Sequence, residues 1–221
     1  MPIQEILSAV AEAFSAYRRE FARGKCASEL FAPFQSVLNA RLGKHKIVYD
    51  YLLGADTVNI DGQTSGSYIP REGDTVLMDI SVGVGGVWCD VCRTFFVGEP
   101  TEEQTEVFNL ALASLREGAR ALGAGAAASE VYFAANRPYR EAGRSLVHHA
   151  GHRIGTAPLL QPQFLEGSDT PLSVGEYYTV ETGLYSGFGL RLENDYILTE
   201  NGAEDLFEEL LPLKIEEYIL K

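Results

Sequence analysis

Two hairpin-like stretches, each carrying a pair of acidic residues, restrict the fold of this chain more than any other feature of its sequence. The first, Val76 to Val97, reads VLMDISVGVGGVWCDVCRTFFV. Residues 76–82 and 87–97 are rich in Val, Ile, Trp and Phe, as strands are, and Gly83, Gly85 and Gly86 supply turn residues between them. A fold-back centred between Val84 and Gly85 sets Asp79 across from Asp90. Like charges at that cross-strand spacing destabilise a sheet. A shared proton, an arginine or a divalent cation must offset the repulsion.

The second stretch, Tyr177 to Leu198, reads YYTVETGLYSGFGLRLENDYIL and repeats the arrangement. Ser186 to Gly189 make the turn, and a fold-back centred on Gly187 sets Glu181 opposite Glu193. Four clustered carboxylates exceed what one arginine or one proton can hold, whereas divalent metals bind them through oxygen. The two pairs are therefore expected to act as jaws around metal.

The rest of the chain supports a repeated plan. A helix is expected from about Ile3 to Arg23, a second, capped by Ser28, to about Leu42, and a strand from Lys46 to Leu53. Gly54 to Gly73 is a connection leading into the first hairpin. Thr101 and Gln104 have capping-box spacing ahead of a helix to about Leu122, and Ser129 is expected to cap another to about Ala142. After the histidines at 148 to 152 and a loop comes the second hairpin, then an acidic amphipathic tail. Helix, helix, strand, hairpin thus occurs twice. Short echoes agree: Ala27-Ser28-Glu29 recurs as Ala128-Ser129-Glu130. The expectation is one α+β domain over 1–221, with two similar halves at about 1–99 and 100–221 that meet at a cleft.

Composition narrows the function. At 221 residues and 46% hydrophobic content the chain can bury a full core. A formal net charge of −13 argues against a nucleic-acid partner, which needs a basic footprint. No apolar run reaches the roughly 18–20 residues that span a bilayer. The first residues carry Glu5 and Glu12 within their apolar pattern and have no basic leader, so they read as a helix rather than a signal peptide, and the expected location is cytoplasmic. Three cysteines are an odd number, which argues against a disulfide framework. Cys89 and Cys92 sit three apart in a strand, which turns them to opposite faces as packing residues.

Three of the four histidines fall within His148-His149-Ala150-Gly151-His152-Arg153-Ile154-Gly155. An imidazole beside carboxylates is a common ligand set for a hydrolytic metal. A lone histidine is more often a surface or core residue, but this clustering between glycines favours function.

With these residues in view, the chain resembles the pita-bread metallopeptidases, which include aminopeptidase P, prolidase and methionine aminopeptidase. The matching segments are LMD with Asp79, VWCDVCRTFFVG with Asp90, HHAGHRIG with His152, TVETGLY with Glu181 and RLEND with Glu193. The resemblance covers nearly the whole chain. It implies a pita-bread fold of two pseudo-symmetric αβ halves around a curved antiparallel sheet. It also implies that Asp79, Asp90, His152, Glu181 and Glu193 hold two divalent ions, manganese, cobalt, iron or zinc, with His152 and Glu181 on one of them. Glu181 would shuttle the proton of the attacking water. His148, four residues before His152, and Arg191, two before Glu193, match the aminopeptidase P and prolidase branch. There His148 would hold substrate or the tetrahedral intermediate, and Arg191 a substrate carboxylate. A homodimer follows from family habit; the apolar residues of Phe207 to Leu220 could serve it or cap the chain's own core.

Three positions depart from the pattern. Asp61 and Leu159 stand where the family has substrate-binding histidines, and Arg153 where it has a glycine after the ligand histidine. An ionised Asp only accepts hydrogen bonds and Leu does neither. The resemblance covers the catalytic domain alone, and no separate N-terminal domain of the prolidase and aminopeptidase P kind is expected. Three functions remain open on these grounds: a dinuclear metallohydrolase of a peptide-like or small-molecule amide C–N bond, a diverged metalloenzyme of small-molecule metabolism working by hydrolysis, elimination or, with iron, oxidative chemistry, and a non-catalytic binding module.

Overall fold

The computed structural model describes residues 2–60 and 62–221. Helices α1 (Ile3–Glu20) and α2 (Ala27–Leu42) precede strands β1 (Lys46–Leu53), β2 (Thr75–Val84) and β3 (Val87–Val97). Helices α3 (Glu102–Ala121) and α4 (Ala128–Glu141) precede β4 (His152–Ile154), β5 (Leu160–Gln163), β6 (Tyr177–Ser186) and β7 (Phe188–Thr199). Two short strands, β8 (Gly202–Asp205) and β9 (Ile219–Leu220), close the chain. The sheet order β1-β2-β3-β7-β6-β4-β5 sets the two runs back to back about the β3–β7 seam, so the pseudo-symmetric α+β plan is realised.

Alternation along the strands divides the sheet into two faces. Met78, Ile80, Val91, Phe95, Val180 and Leu192 point to the helices and are buried there. On α1, Ile6, Val10, Phe14 and Tyr17 recur at helical spacing and cover this face, with Phe14 stacked 6.2 Å from Phe95. Burying one such phenylalanine contributes roughly 1.5–3 kcal/mol. The opposite face carries Asp79, Asp90, Glu181 and Glu193. Cys89 and Cys92 part as expected, the first into the helix-side core and the second into a small cluster with Leu52 and Leu77.

The seam between the halves is held mainly by side chains. β3 and β7 share only the register pair Cys92↔Glu193. Arg93, fully buried, donates to the carbonyls of Cys92 and Glu193 and to Asn194 Oδ1 at 2.6–2.8 Å, and also reaches Tyr218 and Leu211. Asp195 accepts from the Asp90 amide at 2.8 Å, and Thr94 exchanges two bonds with the Arg191 backbone. A groove lies on the acidic face, lined by residues of both hairpins.

Several local expectations need correction. α1 stops at Glu20 rather than near Arg23. The N-cap of α2 is Cys26, not Ser28; Glu29 accepts from the Cys26 amide at 2.9 Å. The N-cap of α4 is Ala127, not Ser129. In both helices a distant loop satisfies the leading amides: Tyr68 and Gly66 carbonyls for Ala27 and Ser28, Thr170 and Ser168 carbonyls for Ala128 and Ser129. The Thr101–Gln104 capping box forms as read. In the tail, Phe207, Leu211, Tyr218 and Leu220 pack into the chain's own core, the second of the two uses the sequence leaves open. Among the described residues no helix is long and apolar enough to cross a membrane.

Candidate metal centre

The first hairpin turns between Gly85 and Gly86, with Val84 paired to Val87, so Asp79 lies opposite Cys92 and Asp90 opposite Ser81. The expected Asp79–Asp90 pairing is thus two residues out. Both glycines have positive φ, +61° and +86°, which a two-residue hairpin turn of this hand requires. A shift of two keeps every side chain on its face. The acidic pair survives as diagonal neighbours, and the residue directly across from Asp79 is Asp50 on β1. The second hairpin folds about Gly187 as read, with Glu181 opposite Glu193.

His152 arrives from β4. Gly151 ahead of it has φ +127°, and a Cβ there would collide with the Thr179 carbonyl oxygen on β6. This close approach presses His152 against the acidic groove. His152 Nδ1 contacts the Arg153 carbonyl at 3.0 Å, which requires Nδ1 to carry the proton and leaves Nε2 with a lone pair. Nε2 lies 3.8 Å from Asp90 Oδ2.

The buried acceptors here lack protein donors. Asp90 Oδ1 and Glu193 Oε2 have no hydrogen-bond partner. Ligand atoms of Asp90, His152 and Glu193 lie within 4.8 Å of one another, and so do those of Asp79, Glu181 and Glu193. Two groups of electron-pair donors therefore share Glu193. Oxygen and imidazole donors facing one another away from water fit one or more divalent cations. His152 and Glu181, expected together, fall in different groups.

Electrostatics carry the same signature. Burial, opposed by Arg191 and reinforced by Glu181 and Asp50, pushes the Asp79 carboxyl up to about 6. Burial and then the neighbouring Asp79 raise Asp90 well above the carboxylate range; burial and then Asp90 do so for Glu193. Burial would also raise Glu181, but His148, His149 and Arg191 outweigh it and hold this carboxyl well below its ordinary value. Burial lowers His148 and His152. His149 is raised, the adjacent Glu181 overcoming the cost of burial.

A second layer of polar contacts fixes the set. Arg191 ion-pairs with Asp79, lies 3.9 Å from Asp50, and donates from Nε to the Tyr185 hydroxyl at 2.6 Å. The Tyr185 hydroxyl in turn meets His148 Nε2 at 3.1 Å, while His148 Nδ1 bonds the His149 carbonyl at 2.6 Å. His148 is thus engaged at both nitrogens, behind Glu181 rather than in the cavity wall. Arg191 is anchored as well.

The cavity itself measures about 220 Å³, and its wall includes Asp79, Asp90, His152, Glu181, Arg191 and Glu193. Leu159 lies in the same wall and is 46% exposed. Asp61 lies outside the described residues. The structure adds residues that the sequence did not single out. Asp50 and His149 line the cavity, and Tyr185 and Asp195 brace it. The alternating pattern of β1, with Asp50 between two tyrosines, was the available signal for the first, and the clustered histidines for the second. A larger groove of about 630 Å³ adjoins along β1 and shares Val48, Tyr49 and Asp50 with the cavity.

A curled antiparallel sheet backed by helices, with an acidic, imidazole-bearing groove on its free face, defines a pita-bread metallopeptidase fold. The model of metallopeptidase family M24 matches residues 2–200, and the chain belongs to that family, whose members depend on divalent metal. It is 34% identical over 138 residues to the probable dipeptidase PepE of Mycobacterium tuberculosis, covering 60% of this chain and 37% of that protein. It is 28% identical over 193 residues to the Xaa-Pro dipeptidase of Pyrococcus furiosus, covering 85% and 55%. The prolidase structure from Pyrococcus furiosus superposes with a TM-score of 0.86 at 26% identity, over 92% of this chain and 62% of that one. The chain therefore spans about one third to two thirds of the length of these relatives.

Proposed function

We propose that the chain is a dinuclear metal-dependent hydrolase that cleaves a peptide-type C–N bond in a small peptide. The observation that carries this reading is the pair of three-residue donor groups sharing Glu193, with unpartnered buried oxygens facing inward. Asp79, Asp90, His152, Glu181 and Glu193 would hold the ions. When bound, the ions lower the pKa of water and polarise the carbonyl to be attacked. Glu181, held ionised by its imidazole neighbours, accepts the proton of the attacking water and returns it to the leaving nitrogen. Arg191 orients Asp79 and, through Tyr185, ties it to His148, so both Arg191 and His148 act as positioning residues.

The relatives are named for dipeptides and Xaa-Pro dipeptides, which sets the substrates to try first. Protein loaded with manganese or cobalt is expected to release product from such dipeptides, to stop when treated with chelator, and to resume on adding metal back. No release across an Xaa-Pro and general dipeptide panel would overturn the peptidase reading. Leu159 in the cavity wall favours a second reading, hydrolysis of an amino-acid-derived amide that needs no donor from that position. N-acyl amino acids and amino-acid amides in the same assay separate the two.

A further inference from the structure

We propose that the free edge of β1 is a substrate-binding site, to which peptides of about five residues or more add as an extended strand while one of their bonds sits in the metal centre. The proposal deepens the hydrolase reading above and rests on it.

The register fixes which main-chain groups of β1 face outward. The two-residue turn at Gly85 and Gly86 makes Val84 and Val87 a hydrogen-bonded pair, and such pairs alternate along an antiparallel ladder. Ser81, Asp79 and Leu77 therefore turn their amides and carbonyls to β1, where they meet Val48, Asp50 and Leu52. Ile47, Tyr49 and Tyr51 carry theirs on the far side. The same parity shows one step on, where the outward amide of Leu53 is taken by Thr64 Oγ1 at 2.9 Å. β1 is the outer strand of the sheet order, and among the described residues no main-chain group beyond the β1–β2 ladder bonds to Ile47, Tyr49 or Tyr51.

Edge strands are ordinarily protected by lysine, proline, a bulge or a covering segment. The run Ile47-Val48-Tyr49-Asp50-Tyr51 carries neither lysine nor proline and pairs with β2 in continuous register. Val48 and Tyr49 are 54% and 46% exposed. The groove of about 630 Å³ follows this edge: it is lined by every residue from Ile47 to Leu52, with Phe31 and Gln35 of α2 and Thr64 as the facing wall. Among the described residues that line it, Asp50 alone is charged, which suits a main chain with neutral side chains. Such a chain gains affinity from main-chain hydrogen bonds and specificity from alternate side chains.

Continuity with the metal centre identifies the occupant as substrate. Groove and cavity share Val48, Tyr49 and Asp50, so a chain lying in the first leads into the second. Adjacent strands lie about 4.7–4.9 Å apart, which puts a strand beside β1 about 10 Å from Asp79 on β2, roughly three extended residues. A dipeptide seated at the metal centre falls short of the edge, whereas five residues reach both. A second copy of the chain fits less well. A stable dimer buries roughly 800 Å² on each partner, and this edge offers three outward residues before Thr64 closes it.

The test uses metal-loaded protein and peptides with neutral side chains, from dipeptide to pentapeptide, lengthened in one series on the amino side of the cleaved bond and in another on the carboxyl side. Steady-state kinetics with product identification is expected to show kcat/KM climbing at least tenfold with length in one series, chiefly through KM. In the responsive pentapeptide, methylating successive main-chain nitrogens away from the cleaved bond should alternate between loss and no loss, since every second amide of an added strand faces its partner. Tyr49→Pro removes an outward N–H without touching the β1–β2 ladder, and Tyr49→Val keeps it. The pentapeptide-to-dipeptide ratio of kcat/KM should be about fivefold lower in Tyr49→Pro than in Tyr49→Val, the worth of one hydrogen bond. Equal kcat/KM at all lengths in both series, or a methylation profile without alternation, would overturn the proposal and leave the hydrolase reading intact. A parent dimer that Tyr49→Pro dissolves in sedimentation would overturn it as well, by giving the edge to a second copy. A parent protein that cleaves no peptide of either series removes the hydrolase reading and this inference together.

Discussion

Glu181 and Glu193 stand directly opposite each other on β6 and β7, two buried carboxylates in one cross-strand pair. Such a pair is repulsive and costly to dehydrate unless a cation lies against it. Glu193 also belongs to both donor groups. Glu193→Ala is therefore expected to lose all bound divalent metal, and metal analysis after dialysis checks this. Metal added to the parent protein should raise its stability by about 2.7 kcal/mol at a hundredfold excess over Kd, and the same addition should leave Glu193→Ala unchanged.

The metal-free protein should respond to pH in an uncommon direction. A carboxyl whose folded pKa is raised contributes stability below its unfolded pKa of about 3.9–4.3 and loses it as pH climbs through the folded value. Asp79, pushed up to about 6, and Asp90 and Glu193, both raised well above their ordinary values by burial, all act in this sense. Glu181 is shifted downward, and its contribution is complete above about pH 4.3. From about pH 5 to pH 7 the chelator-treated protein is expected to become less stable, and Asp79→Asn to flatten the slope. Urea denaturation at the two ends of that range measures it; stability that climbs with pH there would contradict the assignment.

Gly151 sets the position of His152 through a contact that tolerates no side chain. Its φ of +127° is unfavourable for any L-residue, and an added Cβ would strike the Thr179 carbonyl. Gly151→Ala should displace the β4 entry and lower metal affinity at least tenfold, while circular dichroism stays close to that of the parent. Full metal affinity in this variant would show that His152 is positioned by other means.

These outcomes turn on register and packing, which the sequence exposes unevenly. One glycine at the centre of YSGFG fixed the second hairpin, whereas three glycines in VGVGG left the first ambiguous. Only Gly85 and Gly86 are turn residues; Gly83 is small because the Trp88 ring lies where its side chain would be. The amphipathic helices and the acidic pairs were legible because each follows a local period. The caps of α2 and α4 were not, since carbonyls from distant loops satisfy their amides. Asp50 escaped notice for a similar reason: its place beside Asp79 exists only once β1 pairs with β2.

Arg93 provides the most stringent test of the seam. Its guanidinium is fully buried and donates to three carbonyls, an amide oxygen and a hydroxyl, with no carboxylate among these partners. The planar fork of arginine meets that geometry, and the single ammonium of lysine does not. Each buried acceptor left without a donor costs about 1–3 kcal/mol. Arg93→Met and Arg93→Lys should both destabilise the protein by more than about 3 kcal/mol, and Arg93→Lys should recover little of that loss. Because one of the carbonyls belongs to Glu193, the backbone that presents the shared carboxylate would loosen as well. Metal affinity is thus expected to fall in either variant, although Arg93 points to the helix side of the sheet. Denaturant melts paired with metal titration separate the two effects. A variant with lowered stability but parental metal affinity would show that the seam and the metal centre are mechanically independent.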